Sequence, residues 1–185
     1  DFVENSDIEY DKNKFFHVDL RNLNYNKLKK MLPTQRTFEI KHGSQILYGE
    51  DVRTKIPNIK APVSDGIRIL FNKMDHILMA KEKDNKEIKV IYTLKAYTDL
   101  CSALLMFKKD FAATYTERNN KIKHHNFPKE LIDKIDWATN FRNNPDFDSI
   151  KDENTALDEA KNWVVYAFKY IIKRHLKLKD DSWKT

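Results

Sequence analysis

The stretch SDGIRILFNKMDHIL, residues 64–78, decides the fold because an apolar side chain recurs at every third or fourth position. This spacing places six apolar residues on one helical face, namely Ile67, Leu70, Phe71, Met74, Ile77 and Leu78. Ser64 can cap the helix, and Asp65 suits its positive end. The stretch therefore predicts an amphipathic helix that buries this face.

Three later segments show the same helical period. The first covers about residues 88–107, with Ile91, Leu94, Cys101, Leu104 and Leu105 inward. The second follows Pro128 and buries Leu131, Ile135, Ala138 and Phe141. The third begins at a capping-box pattern, Thr155 to Asp158, and buries Leu157, Ala160, Val164, Ala167, Phe168 and Ile171. Residues 63–185 are thus predicted to form an antiparallel bundle of about four to five helices.

Residues 1–62 have a different pattern. Apolar and polar side chains alternate in residues 1–10, 15–23, 36–43 and 45–51, which is typical of half-buried strands, while residues 24–32 look like a short helix. Gly43 and Ser44 would close a hairpin. The predicted fold class is α+β, mainly α: a small antiparallel β unit over residues 1–62, followed by the bundle.

Composition limits the function. The chain has 185 residues, a formal net charge of +6 and one cysteine, Cys101, so it has no internal disulfide. Charged residues interrupt every apolar stretch before about 18 residues, so we expect a soluble, cytoplasmic protein without a membrane partner. The basic charge modestly favours a polyanionic partner, with nucleic acid among the candidates.

Carboxylates near the start of the sequence are the candidate metal ligands. Asp19 lies in HVDLRNL on a predicted strand, and Asp7 and Glu9 share one face of the strand before it. Carboxylate oxygens are ligands that Mg²⁺ prefers. A single carboxylate on a strand is more often a solvated side chain, so Asp7 and Glu9 are secondary candidates beside Asp19.

Basic residues give two further candidate sites. Lys95 interrupts an apolar helix, and together with Arg68 and Lys73 it could hold a phosphate if these helices line a cleft. The plainer alternative is that Lys95 extends into solvent. Arg118 with His124 or His125 matches the loose spacing R-x(4–6)-H of some helical ribonucleases, although the surrounding lysines and asparagines suit an ordinary solvated turn as well.

Several segments together carry a resemblance to a known family. They are HVDLRNLNY (17–25), TQRTFEIKHGSQILYGED (34–51), IRILFNKMDHIL (67–78), YTLKAYTDLCSALLMF (92–107) and YTER (115–118). They resemble the C-terminal part of a prokaryotic, archaeal-type nucleotidyltransferase of the polymerase-beta superfamily with an HEPN-like helical bundle. The resemblance implies that Asp19 is a metal-binding carboxylate, that 47–51 is the last strand of the sheet, and that Lys95 holds nucleotide phosphates.

The function implied by this resemblance is transfer of a nucleoside monophosphate from a nucleoside triphosphate to an unknown acceptor, with Mg²⁺ as cofactor. The family's glycine-serine and paired-aspartate motif does not precede Asp19 in this sequence. We therefore expect the chain to be part of a longer protein and inactive alone. A non-catalytic nucleotide- or partner-binding module is the alternative, an HEPN-type ribonuclease is a lesser one, and an apolar bundle face could support a homodimer.

Overall fold

The computed structural model describes residues 24–178, and this part of the chain is helical, without strands. Two 3₁₀ turns, Val52–Lys55 and Phe147–Ser149, accompany the α-helices. The helices are α1 (Tyr25–Leu28), α2 (Gln35–Gly43), α3 (Val63–Lys81), α4 (Lys86–Phe107), α5 (Tyr115–Ile122), α6 (Lys129–Asn143) and α7 (Glu153–His175). The mainly α class is thereby confirmed.

Helix α4 forms the centre of the bundle and packs against α3, α5, α6 and α7. Asn85 begins it, because its side chain accepts a hydrogen bond of 2.9 Å from the Ile88 amide. Within residues 24–178, α4 is the one helix long and apolar enough to cross a membrane. Most of its side chains are instead buried by the neighbouring helices, as expected for a core helix.

Contacts at the helix ends show the relative directions of α3, α4 and α7. Near the start of α7, Asp158 accepts a bond of 3.0 Å from Lys81 at the end of α3, and Lys89 at the start of α4 donates to Asn154 at 2.8 Å. At the other end, the rings of Phe107 and Tyr170 are 5.8 Å apart. Helix α3 is therefore antiparallel to α4, as predicted, but α4 and α7 run parallel.

The predicted inward faces of α6 and α7 are buried as expected, except that Phe168 is half-buried. On α3, Leu70 and Ile77 are buried, whereas Phe71 and Leu78 are 63% and 58% exposed. The reason is the close approach of Gly66 to α4, where a Cβ would lie 3.1 Å from the Cα of Ala103. This approach turns the side of α3 that carries Gly66 toward the core.

The caps of α3 and α7 also differ from expectation by a few residues. Pro62 precedes α3, so Ser64 lies inside the first turn rather than at its cap. Asp152 caps α7 by accepting hydrogen bonds from the amides of Asn154 and Thr155, three residues before the predicted capping box. Apart from these caps, α3 and α7 cover the segments in which the apolar period predicts helices.

The predicted β unit is wrong for residues 36–51. Residues 36–43 belong to α2, because the Thr34 hydroxyl caps the helix by accepting a bond of 3.2 Å from the Thr37 amide. Gly43 ends α2 instead of closing a hairpin, and residues 45–51 form neither helix nor strand. Leu47 and Tyr48 are 95% and 98% exposed, so no strand partner covers them. The strands predicted over 1–10 and 15–23 lie outside the described residues.

Candidate functional site

A buried carboxylate, Asp65, joins the first turn of α2 to that of α3. Its Oδ2 accepts a hydrogen bond of 2.6 Å from the Gln35 amide, one of the amides that has no partner within α2. Its Oδ1 accepts bonds of 2.9 Å and 2.6 Å from Nε and Nη2 of Arg68. Asp65 therefore brings Gln35 and Arg68, from separate helices, to the same place.

Arg118 anchors α2 from the side of α5. Its guanidinium forms an ion pair with Glu39, and Glu39 also accepts a bond of 2.7 Å from Nε2 of Gln35. The Arg118 side chain is 2% exposed, whereas that of Glu39 is 30% exposed. The pair thus ties the middle of α2 to the core and leaves Glu39 partly accessible.

Helices α2, α3 and α4 together enclose a cleft of about 230 Å³. Its walls are mostly polar, and they comprise Gln35, Arg36, Glu39, Arg68, Ile69, Asn72, Lys73, His76 and Asp99. Two of the three residues predicted to bind phosphate, Arg68 and Lys73, lie here together. Lys95 is exposed on α4 one turn before Asp99.

Lys73 and Asp99 form the least exposed ion pair of the cleft. Their Nζ and Oδ2 atoms are 3.0 Å apart, and their side chains are 11% and 18% exposed. Lys73 Nζ also lies 3.3 Å from Nδ1 of His76. Burial and then the Lys73 charge lower the pKa of His76, so its imidazole is neutral at pH 7 and can accept from Lys73.

Two cations at the cleft lack carboxylate partners. Within residues 24–178, neither Arg36 nor Lys95 forms an ion pair. Lys95 Nζ lies 6.0 Å from the ring centre of Tyr92. Partial burial and, to a smaller extent, the charge of Lys73 lower the pKa of Lys95.

The wall of the cleft also contains an acceptor without a donor. The buried Oε1 of Gln35 has no hydrogen-bond partner in the structure, although its Nε2 donates to Glu39. An unsatisfied buried amide oxygen costs free energy that a hydroxyl or amino group could recover. Because protein atoms cover this oxygen, the groups that the cleft offers to a ligand are its guanidinium and ammonium donors.

Arg118, the arginine of the ribonuclease alternative, serves a structural role. It donates to the carbonyls of Ala112 and Ala113 at 2.7 Å and 2.8 Å, to Ser102 Oγ at 3.0 Å, and to Glu39. These bonds engage most of its five N–H donors inside the protein, away from any RNA phosphate.

The two histidines of that alternative are held elsewhere. Nε2 of His125 lies 3.0 Å from Oδ2 of Asp110, and His124 is exposed. Neither histidine is hydrogen-bonded to the Arg118 guanidinium. The described geometry thus provides no ready acid-base pair around Arg118.

The predicted metal ligands Asp7, Glu9 and Asp19 lie outside the described residues. Among residues 24–178, no group of three or more His, Cys, Asp or Glu side chains is arranged to hold a metal ion. The role of Mg²⁺ with these three carboxylates therefore stays a prediction.

Helix α2 contributes to the cleft although the alternating pattern of residues 36–43 predicts a strand. Gln35, Arg36 and Glu39 are consequently absent from the predicted site. The signal that indicates the helix is Pro33-Thr34, a common combination before a first helical turn, with the Thr34 hydroxyl as the cap.

Comparison of the chain with protein-family models, with curated proteins and with solved structures finds no match. The nucleotidyltransferase resemblance therefore rests on the quoted segments alone.

Proposed function

We propose that this chain is a nucleotide-binding helical module, and that the α2–α3–α4 cleft holds the phosphate groups of a nucleoside triphosphate. The observation that carries the proposal is the convergence of Arg36, Arg68 and Lys73 on one cleft of about 230 Å³. Phosphate oxygens are good acceptors for such donors, and a guanidinium can bind them in a bidentate manner.

The cations have different parts in this proposal. Arg36 has no carboxylate partner among the described residues, and Arg68 has a side chain that is 61% exposed, so both guanidinium groups can reach a ligand. Lys73 is held by Asp99 and contributes a fixed charge in the wall. Lys95, at the margin, adds a long-range attraction for anions.

Polar groups of the cleft would also select the ligand. Glu39 is 30% exposed, so its carboxylate can accept from hydroxyl or amino groups of a ligand. Such groups occur on the sugar and base of a nucleotide and are absent from inorganic phosphate. We therefore expect a nucleotide to bind more tightly than inorganic triphosphate.

A second candidate function, nucleotidyl transfer, extends the same site. It is favoured by the placement of Arg68 and Lys73, residues that the sequence had already assigned to phosphate, in one cleft. Asp19, with Asp7 and Glu9 as weaker candidates, would hold Mg²⁺, which would stabilise the charge of the departing pyrophosphate. The acceptor stays unidentified, and a partner chain or further domain would supply the remaining carboxylates.

Isothermal titration calorimetry tests the proposed binding site. Wild-type protein is titrated with ATP, inorganic triphosphate and adenosine, each with and without Mg²⁺. ATP and triphosphate should bind, and adenosine alone should bind far more weakly. The R36A/R68A variant loses two charge-assisted contacts, so its affinity for ATP should fall by about 30-fold or more.

The matched control is the K83A/K86A variant, which removes two exposed cations from the α3–α4 connection. Its ATP affinity should equal that of wild type. Equal ATP binding by the R36A/R68A variant and wild type, at an unchanged melting temperature, would refute the site. Absence of ATP binding to wild type at millimolar concentration would refute the function.

A further inference from the structure

A basic groove lies where the last turns of α4 and α7 meet. It has a volume of about 590 Å³, and its main lining residues are Lys108, Tyr166, Lys169, Tyr170, Lys173 and Arg174. No carboxylate lines it among the described residues. The groove differs in this respect from the cleft, in which Glu39 and Asp99 offset the cations.

The parallel course of α4 and α7 explains this concentration of charge. Residues 166, 169, 170, 173 and 174 follow the helical spacing of three and four, so they share one face of α7. Lys108 ends α4 beside them, as its Nζ lies 5.7 Å from the ring centre of Tyr170. The negative ends of two helix dipoles meet here, which stabilises the cations without neutralising their charge.

Two tyrosine rings form part of the groove wall. The Tyr166 and Tyr170 ring centres are 6.1 Å apart, and Tyr166 is supported by Trp163 at 5.4 Å. The guanidinium of Arg174 lies 3.8 Å from the Tyr170 ring centre and covers that ring. Tyr166 is half-buried and is the ring best placed for a stacking contact.

We propose that this groove binds single-stranded nucleic acid, with Lys108, Lys169 and Arg174 contacting successive phosphates and Tyr166 stacking on a base. Cations along a groove together with an aromatic ring are the usual elements of single-strand binding. A single strand fits better than a duplex, because only unpaired bases can present their faces to Tyr166.

The groove is poorly suited to a membrane surface. Membrane-bound amphipathic helices insert exposed aromatic and aliphatic side chains beneath their charges. Here the aromatic rings of Tyr166 and Tyr170 form a wall and pack on Trp163 and Phe127, rather than projecting outward. The proposed surface is also separate in its residues from the phosphate cleft, so it goes beyond the proposed function.

Fluorescence anisotropy with a labelled oligouridine of about 12 nucleotides tests this proposal on the full chain. Contacts from Lys108, Lys169 and Arg174 predict a salt slope of about −2.1, so affinity should fall about 20-fold between 50 and 200 mM salt. The K169E/R174E variant, with both changes at exposed positions, should bind at least about tenfold more weakly, with a shallower slope.

The K83E/K86E variant is the matched control, since it makes the same change of charge at the opposite end of the bundle. It should bind oligouridine like wild type. An equal loss of affinity in the two charge-reversal variants would overturn the groove as the site. Failure of wild type to bind oligouridine at low salt would overturn the proposal itself.

Substitution of Tyr166 separates nucleic acid from polyanions in general. The Y166L variant should lose about tenfold in oligouridine affinity, whereas Y166F, which keeps the ring, should bind like wild type. Heparin binding should be equal in all three proteins. Unchanged oligouridine binding by Y166L, or tighter binding to phosphatidylserine vesicles or duplex RNA than to oligouridine, would overturn the assignment to single strands.

Discussion

Replacement of Arg118 by alanine should strongly destabilise the fold, because this buried guanidinium joins α2, α4 and α5. The residue is 1% exposed. It bonds to Ala112, Ala113, Ser102 and Glu39. The rings of Phe111 and Tyr115 flank its guanidinium at 4.4 Å and 4.9 Å from their centres. Alanine would leave two carbonyls, a hydroxyl and a carboxylate without their donor.

The expected loss in the free energy of unfolding is about 4 kcal/mol. Removal of one partner of a buried ion pair costs about 3–5 kcal/mol. Glu39 is 30% exposed and keeps its bond from Gln35 Nε2, which lowers the cost, whereas the buried acceptors that lose their donor raise it, so a value near the middle of this range follows. Because a domain is stable by about 5–15 kcal/mol, R118A would remove a large share of it.

Urea unfolding followed by circular dichroism measures this loss. The R118K variant keeps the charge but not the planar fork, so its loss should be intermediate. The K129A variant is the control, since its ion pair with Asp133 joins side chains that are 85% and 60% exposed, and its loss should stay below about 1 kcal/mol. Equal losses of unfolding free energy in R118A and K129A would refute the structural role of Arg118.

Three further predictions concern titratable groups. Burial raises the pKa of Cys101 to about 12, so iodoacetamide should modify this thiol at pH 8 only after unfolding; rapid modification of native protein would contradict its burial. A hydrogen bond from Lys123, followed by one from Asn119, lowers the pKa of Asp136. Asp136 therefore stabilises the fold above its unfolded pKa of about 3.9 and loses this effect as the pH falls through its lower folded pKa. The D136N variant should show a smaller drop in urea midpoint on acidification than wild type, and parallel pH curves would refute this linkage. The pKa of His76 is lowered in the free protein, and the negative charge of a bound triphosphate should raise it. ATP affinity should therefore increase on acidification from pH 8 to about 6, and this increase should be larger in wild type than in H76N. Identical pH profiles of the two proteins would show that His76 does not contact the ligand.

Much of the bundle could be predicted from sequence, because apolar periodicity reports which face of a helix is buried. This holds for α6 and α7, whose inward faces are wide and continuous. It holds only in part for α3, where Gly66 brings the backbone close to Ala103 and the rotated helix leaves Phe71 and Leu78 exposed. A glycine contact of this kind leaves no trace in an apolar pattern.

Helix α2 shows the limit of local pattern in another way. Phe38 and Ile40 alternate with polar residues as in a strand, but the Thr34 cap and the tertiary partners of Gln35 and Glu39 favour a helix. Those partners, Asp65 and Arg118, are distant in sequence. The tertiary contacts of α2 therefore outweigh the local strand propensity of its sequence, and these contacts cannot be read from the sequence pattern.

The candidate site, like the fold, could be predicted only in part from the sequence. Helical spacing was enough to propose Arg68 and Lys73, since both lie on a well-predicted helix. The α2 residues Gln35, Arg36 and Glu39 could not be proposed, because the local pattern does not predict their helix. The R-x(4–6)-H spacing likewise does not show that Arg118 is buried. Spacing along the chain places side chains on a face, whereas burial and hydrogen bonding decide whether they can meet a ligand.

An NMR titration of ¹⁵N-labelled protein with ATP locates the bound phosphates. If the cleft holds the nucleotide, the amide signals of Gln35, Arg68 and Lys73 shift together and saturate, while those of Lys169 and Arg174 in the basic groove stay in place. Shifts confined to the groove, or no shifts at millimolar ATP, would contradict the assignment of the α2–α3–α4 cleft as a nucleotide site.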